Sequence, residues 1–343
     1  MLISDFNYDL PDELIAQEPS VARDGSRMLV VNRGDGSLID RLFVDLQEFL
    51  RSDDLLVLNN TKVFPARLFG RTETSANVEI FLVKEIEKNL WEVLARPAKR
   101  LKTGKLIIFS DRLTARTADR TEDGKVIVRF EADGDLDEII DELGKTPLPP
   151  YIKRTGADID ADRERYQTVY AKRRGAIAAP TAGLHFRADT LDKIREKGVA
   201  VAEVTLHVGY GTFEPVRVDD LADHAVLPEH YEIGPDATEL LNRAKRDGRR
   251  IVAIGTTTTR ALESNFAEFG RFVAGANVAG LTITPGYAFG AVDALLTNFH
   301  LPKSSLLVLT SVFGGHELIM NAYRHAVAEG YRFYSYGDCM LIE

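Results

Sequence analysis

Two rhythms of hydrophobic and polar positions divide the chain. From about residue 63 to 148, apolar positions alternate in short runs at 77–84, 90–96, 106–110, 113–117 and 125–130, rich in β-branched residues and separated by turn residues. A period of two marks half-buried strands. Asp123-Gly124, just before the last run, is a hairpin-type turn. Closure removes the unpaired edges that such short strands would expose, so this stretch is expected to form a small all-β barrel. A short helix over 135–143 closes it, and Pro147, Pro149 and Pro150 mark its exit.

Outside that stretch the rhythm is strand, then helix, then strand. Residues 28–32 and 55–59 read as strands, and 12–18 and 45–51 as short helices. Beyond Tyr151 the pattern predicts strands at 176–179, 199–206, 250–255, 306–310 and 331–342. It predicts helices at 187–197, 236–246, from Thr256 through Phe266, and at 317–329. Gly198 and Gly248 sit where helix C-caps belong. Alternation of this kind implies an α/β fold, a mixed or mostly parallel sheet covered by helices. The barrel at 63–148 is then an insertion into an α/β domain made of 1–62 plus 149–343.

Composition narrows the class. The 343 residues are 45% hydrophobic and 28% charged, ordinary for a globular protein. No apolar run approaches the length of a membrane span. The N-terminus lacks the basic-then-apolar pattern of a signal peptide. The one cysteine, Cys339, cannot form an intrachain disulfide and lies in an apolar segment, which fits a core position and a cytoplasmic protein. The net charge of −9 argues against non-specific nucleic-acid binding. Two basic stretches nevertheless stand out as candidate RNA contacts: Arg96, Lys99, Arg100 and Lys102 with Lys105, and Lys172 and Arg173 with Arg174.

Candidate chemistry gathers at strand ends. The stretch ending at Phe186 reads APTAGLHF, and His207–Phe213 read HVGYGTF. Each follows a short apolar run and breaks into glycine and small polar residues. Gly183, Gly209 and Gly211 allow close backbone approach to a ligand. Thr181, Thr212, His185 and His207 supply hydroxyl and imidazole groups, with Ala182 between. In open α/β sheets ligands sit outside the carboxyl ends of the strands, so these loops are expected to share a pocket. A third cluster, GTTTTR at 255–260, opens a helix whose free amides suit a carboxylate, phosphate or ribose. It lacks the glycine pattern of a P-loop. A fourth, TNFHLP at 297–302, carries Asn298 and His300, with Tyr287 and Phe289 nearby to stack on a base. Asp338 is a candidate partner for one histidine. No cysteine cluster or H-E-x-x-H stretch suggests a metal, and His224 and His230 are not at a standard ligand spacing.

Taken together, LIAQEPSVARDGSRMLVVNR, LNNTKVFPARLFG, APTAGLHF, HVGYGTF, GTTTTRALES, TNFHLP and SYGDCMLI, in this order over nearly the whole chain, resemble the S-adenosylmethionine:tRNA ribosyltransferase-isomerases of queuosine biosynthesis. One departure stands out: where the family carries His-x-Met-His-x-Glu, residues 224–229 read HAVLPE, with Leu227 replacing the second histidine. The resemblance implies transfer and isomerisation of the ribosyl part of S-adenosylmethionine onto 7-aminomethyl-7-deazaguanine at the tRNA wobble position. Epoxyqueuosine would form, with adenine and methionine released. S-adenosylmethionine is then a consumed substrate, and no separate cofactor is implied.

Departure of adenine needs a proton, and activation of the ribose and of the attacking amine needs a base. His185 and His207 are the expected acid and base, in either order. Thr256, Thr257 and Arg260 would hold the methionine carboxylate, and Asn298 and His300 adenine or ribose. A monomer is expected. Two other classes compete. An S-adenosylmethionine-dependent RNA methyltransferase is disfavoured because no glycine-rich loop follows the first strand. A non-catalytic RNA-binding module leaves the strand-end clusters unexplained.

Overall fold

The computed structural model describes residues 1–154, 159–213 and 216–343, and the side chains of all of these except 100, 159–161, 212 and 213. The chain begins with β1 (Arg27–Val31), β2 (Leu38–Leu42), the single turn α1 (Leu46–Phe49), β3 (Leu55–Asn59) and β4 (Thr61–Val63). Six strands follow: β5 (Arg67–Thr72), β6 (Asn77–Glu87), β7 (Leu90–Arg96), β8 (Leu106–Ser110), β9 (Leu113–Arg120) and β10 (Val126–Ala132), then α2 (Leu136–Leu143). Beyond α3 (Ile159–Arg165) and β11 (Arg173–Ala176) come α4 (Ala188–Glu196), β12 (Ala200–Leu206), β13 (Glu229–Ile233), α5 (Pro235–Arg246) and β14 (Ile251–Ile254). The chain ends with α6 (Thr256–Phe269), β15 (Gly275–Ala279), β16 (Ala294–Asn298), α7 (Ser305–Gly314), α8 (His316–Ala328) and β17 (Cys339–Ile342). Its contacts divide it into two units. One comprises Met1–Lys62, Pro150–Lys153 and Arg165–Glu343; the other comprises Val63–Pro149 and Arg154–Glu164.

The first unit is built on a nine-stranded sheet in the order β15-β13-β12-β3-β14-β16-β17-β1-β2. The four central strands, β12, β3, β14 and β16, run parallel. β17 runs antiparallel to β16 and parallel to β1, and β2, β13 and β15 add antiparallel edges. The expected mixed α/β sheet is therefore present. Its centre follows from sequence: Leu55–Asn59, Ile251–Ile254 and Ala294–Asn298 are buried along their whole length, as strands covered on both faces must be. The antiparallel strand β13, between β15 and β12, instead alternates, with Glu229, Tyr231 and Ile233 inward. Phe43, Phe186, Ile254, Leu296 and Leu341 belong to the core beneath the sheet.

The second unit contains a closed barrel, β10-β7-β6-β5-β8-β9, antiparallel at every recorded pair. Alternation in β6 and β9 puts Val78, Ile80, Leu82, Leu113 and Ala115 inside. The β5–β8 seam is close: a Cβ on Gly70 would lie 2.8 Å from the Ile108 carbonyl oxygen. Asp135 caps α2 by accepting from the Glu138 amide at 3.0 Å.

Four predicted elements differ. Residues 306–310 lie in helix α7, not a strand; a short apolar run has no period to separate the two. Ser304 caps that helix through the Leu307 amide at 3.2 Å. Of 331–342 only the last four residues are strand. At 12–18 there is one 3-10 turn, Asp12–Leu14, because Ile15 and Ala16 pair with Phe333 instead of continuing a helix. At 176–179 the strand has already ended at Ala176. No helix among the described residues is long and apolar enough to cross a membrane.

Candidate active site at the strand ends

Parallel pairing brings Asn59, Leu206, Ile254 and Asn298, the last residues of β3, β12, β14 and β16, to one edge of the sheet. β17 is antiparallel to β16, with Cys339 opposite Asn298. The segment entering β17 therefore arrives at the same edge. Around these ends lies a cavity of about 220 Å³. Its walls come from Ala178–Ala182, Val208, Gly255–Thr257, Thr297–Leu306, Tyr334-Ser335, and Pro150, Tyr151 and Tyr166.

Of the predicted substrate residues, Thr181, Ala182, Thr256, Thr257, Asn298 and His300 line this cavity. Gly255, the N-cap of α6, has φ +92°, and a Cβ there would come 3.6 Å from that of Ala182, so glycine lets strand turn into helix beside the other loop. The first amides of α6 have no acceptor within the helix. The Thr258 and Thr259 hydroxyls bond back to Ile254 and Gly255 carbonyls. They complete the helix and are not cavity groups.

The two expected acid–base histidines stand outside the cavity lining. His185 is 3% exposed. Asn298 Nδ2 donates to its Nε2 at 3.2 Å, so its Nδ1–H donates to Ser26 Oγ at 3.0 Å. Burial, with the Arg332 charge adding to it, lowers its pKa to about 4. It is a neutral strut behind Asn298. His207 Nδ1 meets Thr61 Oγ1 at 2.8 Å, and its ring covers Gly175, where a Cβ would sit 2.7 Å away. Burial, then the neighbouring His230, lowers its pKa. Gly183 packs against Tyr170, whose Oη would clash with any Cβ there. The close approach it permits is to protein, not ligand.

His300 is the imidazole on the cavity wall. Its Nε2 is 2.8 Å from Thr297 Oγ1, and burial lowers its pKa to about 3, so it is uncharged near neutrality. Asn298 gives its Nδ2 to His185 and to the carbonyls of Tyr334 and Asp338, while its Oδ1 has no donor.

Arg260 does not reach this cavity. It is buried against Glu229, and also donates to the carbonyls of Leu227 and Ala279. Glu229 Oε1 accepts the Gly209 amide at 2.9 Å, so the pair holds the 207–211 loop to α6. Arg260 and Gly211 instead line a neighbouring small cleft with Leu227. Leu227 packs on Gly211, where a Cβ would sit 2.8 Å from it. The side chain of Thr212 lies outside the described residues. Asp338 is no histidine partner: it accepts the Arg27 and Arg332 amides at 2.9 and 2.7 Å, and burial raises its pKa. Tyr287 donates to Glu263 and Phe289 packs edge-on against Phe313, so neither is presented for stacking.

Tyr151, Tyr166, Tyr334 and Lys303 are wall residues that the motif reading passed over. Tyr151 and Tyr334 have ring centroids 4.0 Å apart, and Tyr151 Oη lies 2.5 Å from Ser335 Oγ. Tyr334 (φ +72°) and Lys303 (φ +56°) both adopt the left-handed conformation that side chains seldom take. Such strain concentrates at ligand sites. For Tyr334 and Lys303 the available signal was their place directly before SYGDCMLI and directly after TNFHLP.

Among the basic residues, Arg96, Lys99 and Lys102 are exposed on the barrel unit, and no salt bridge ties them to a carboxylate among the described residues. The Arg100 side chain lies outside the described residues. In the other unit Lys172 pairs with Glu203 at 2.7 Å, and Arg173 is exposed. Cys339 is fully buried, as expected of a core residue.

This architecture defines an α/β protein with a mostly apolar cavity, set with a few polar groups, at its strand ends and a closed β-barrel unit. Residues 3–342 match the family model described as queuosine biosynthesis protein, and the chain belongs to that family. It is 47% identical over its full length, and that of the relative, to an S-adenosylmethionine:tRNA ribosyltransferase-isomerase of Desulfitobacterium hafniense. With one from Staphylococcus haemolyticus it is 48% identical, again over all of both chains. A solved structure of S-adenosylmethionine tRNA ribosyltransferase from Thermotoga maritima aligns with a TM-score of 0.56 and 37% identity, covering 99% of this chain and 100% of that one.

Proposed function

We propose that this chain transfers and isomerises the ribosyl group of S-adenosylmethionine onto 7-aminomethyl-7-deazaguanine at the wobble position of tRNA, forming epoxyqueuosine and releasing adenine and methionine. The observation that carries this reading is the single cavity that gathers Thr181, Thr256, Thr257, Asn298 and His300 at the strand ends of a chain matching the queuosine family from residue 3 to 342. S-adenosylmethionine occupies the cavity as substrate. Its adenine or ribose donors meet the unfilled Oδ1 of Asn298, and the tyrosine walls take the flat base.

The acid–base steps are constrained by the low pKa values of His185 and His300. Near neutrality neither carries a proton to give as imidazolium. Neutral His300 serves as hydrogen-bond partner, and His185 acts through Asn298. The test is incubation with S-adenosylmethionine and tRNA carrying the 7-aminomethyl base, followed by mass analysis of nucleosides and free adenine. Epoxyqueuosine with one adenine released per turnover is expected. A methylated nucleoside without adenine would establish the methyltransferase alternative, and tRNA binding with no S-adenosylmethionine binding would establish the RNA-binding one.

A further inference from the structure

Among the described residues lining the cavity, Lys303 is the one with a formal charge; His300 and the tyrosines are neutral there. The chain as a whole is acidic, at −9. Yet Lys303 is exposed and pairs with no carboxylate among the described residues. Its backbone is held in the left-handed region at φ +56°, with its amide donating to the Phe6 carbonyl at 2.9 Å. The next residue, Ser304, caps the ten-residue helix α7. Thus Lys303 stands beside the positive end of α7, while the N-terminus of α6 opens onto the same cavity at Thr256 and Thr257. Two helix termini and an ammonium make a place for an anion. Independently, Asn298, 3% exposed on the same wall, keeps an acceptor oxygen with no donor from the protein, and a buried acceptor of this kind calls for a polar partner such as a donor group of the substrate.

We propose that Lys303, with the first-turn amides of α7 and α6, binds the α-carboxylate of S-adenosylmethionine and of the methionine that leaves. This rests on S-adenosylmethionine being the substrate. That molecule carries one anionic group, its carboxylate, and the cavity offers one cationic side chain. Arg260, the other basic candidate from sequence, is held by Glu229 away from this wall.

The test measures binding of S-adenosylmethionine and of its decarboxylated analogue, by calorimetry, to the wild type, Lys303→Met and Lys303→Arg. The wild type is expected to bind the analogue at least tenfold more weakly than the substrate, as loss of a charge-assisted contact requires. Lys303→Met should lose the same factor for the substrate and nothing further for the analogue, while Lys303→Arg keeps part of it. In turnover, KM should rise with kcat nearly unchanged, and free methionine should inhibit Lys303→Met less than the wild type. An equal loss for both ligands, or none, overturns the proposal. So does a loss confined to tRNA affinity, which would make Lys303 a phosphate contact. Should Lys303→Met not fold, the wild type and Lys303→Arg still decide, through their discrimination between the two ligands. Failure of the wild type to bind S-adenosylmethionine would instead remove the proposed function itself.

Discussion

In the strand-end region the imidazoles, the Asn298 amide nitrogen and Arg260 are buried and engaged, which leaves Asn298 Oδ1 and the exposed Lys303 open. In the barrel unit the described basic side chains of the 96–102 stretch stand exposed, while other cations there, such as Arg67 and Lys125, are paired. His185, Asn298, Arg260 and His300 are 3, 3, 8 and 9% exposed. Each has a bonded partner within the chain. Arg96, Lys99 and Lys102 in the barrel unit are exposed and unpaired with carboxylates among the described residues. Changes in the first region should propagate, because removing one member leaves another buried and unmatched. Changes in the second should act singly, through long-range charge that salt screens. The following experiments test that contrast.

The largest effect is expected at the buried ion pair. Glu229→Ala leaves Arg260 charged inside the unit and frees the Gly209 amide. A stability loss of about 3–5 kcal/mol is expected, read as a lower urea midpoint. A midpoint equal to the wild type's would show that the pair does not organise the loop.

Next comes Asn298→Ala. It removes the open acceptor of the cavity and strands His185. Turnover should fall about a hundredfold with tRNA affinity unchanged. If His185 works through Asn298, adding His185→Ala to that variant should lower turnover little further. Full additivity would return His185 to a direct role in proton transfer.

A third, smaller effect is pH dependence. His185 and His300 have folded-state pKa values of about 4 and about 3, against 6.5 in an unfolded chain. Below 6.5 the unfolded state takes up protons that the folded state does not. Stability is therefore full above pH 6.5 and falls as the pH is lowered through 6.5 toward the folded values. At pH 5 the cost is on the order of 2 kcal/mol for each imidazole. Replacing His300 with Gln should remove its share of the difference between pH 7 and pH 5. An unchanged pH dependence in that variant would count against a buried neutral ring.

The same contrast explains what sequence could reveal. The barrel's existence was legible because its strands alternate cleanly, as in β9 and β10. The cavity's location was legible because parallel strands must end on one edge, and Thr181, Thr256 and Asn298 follow such strands or their loops. The roles of individual polar residues were not. Whether an imidazole faces a cavity or props an amide behind it depends on partners 159 and 113 residues away, Ser26 and Asn298 in the case of His185. Arg260 looked available because its partner, Glu229, comes from a strand not anticipated in sequence. Tyr151 and Tyr334 were missed because their pairing joins segments far apart in the chain.

The smallest effect is expected at the exposed cations. If the tRNA backbone follows the barrel, Arg96→Ala with Lys99→Ala removes two phosphate contacts. Affinity should weaken about tenfold at moderate salt, and the slope of log K against log salt should flatten by roughly 1.5 to 2. Turnover at saturating tRNA should hold, since neither residue lines the strand-end cavity. Lys172→Ala should do less, because Glu203 already partners that ammonium at 2.7 Å. Titrations at several salt concentrations separate these outcomes. A flat response to the barrel double variant, with Lys172→Ala carrying the salt dependence, would move the RNA path to the α/β unit. It would also end the division of labour between buried cavity and exposed barrel. A slope change in the barrel variant accompanied by loss of S-adenosylmethionine affinity would break the contrast differently, by showing that a surface charge reaches the buried site.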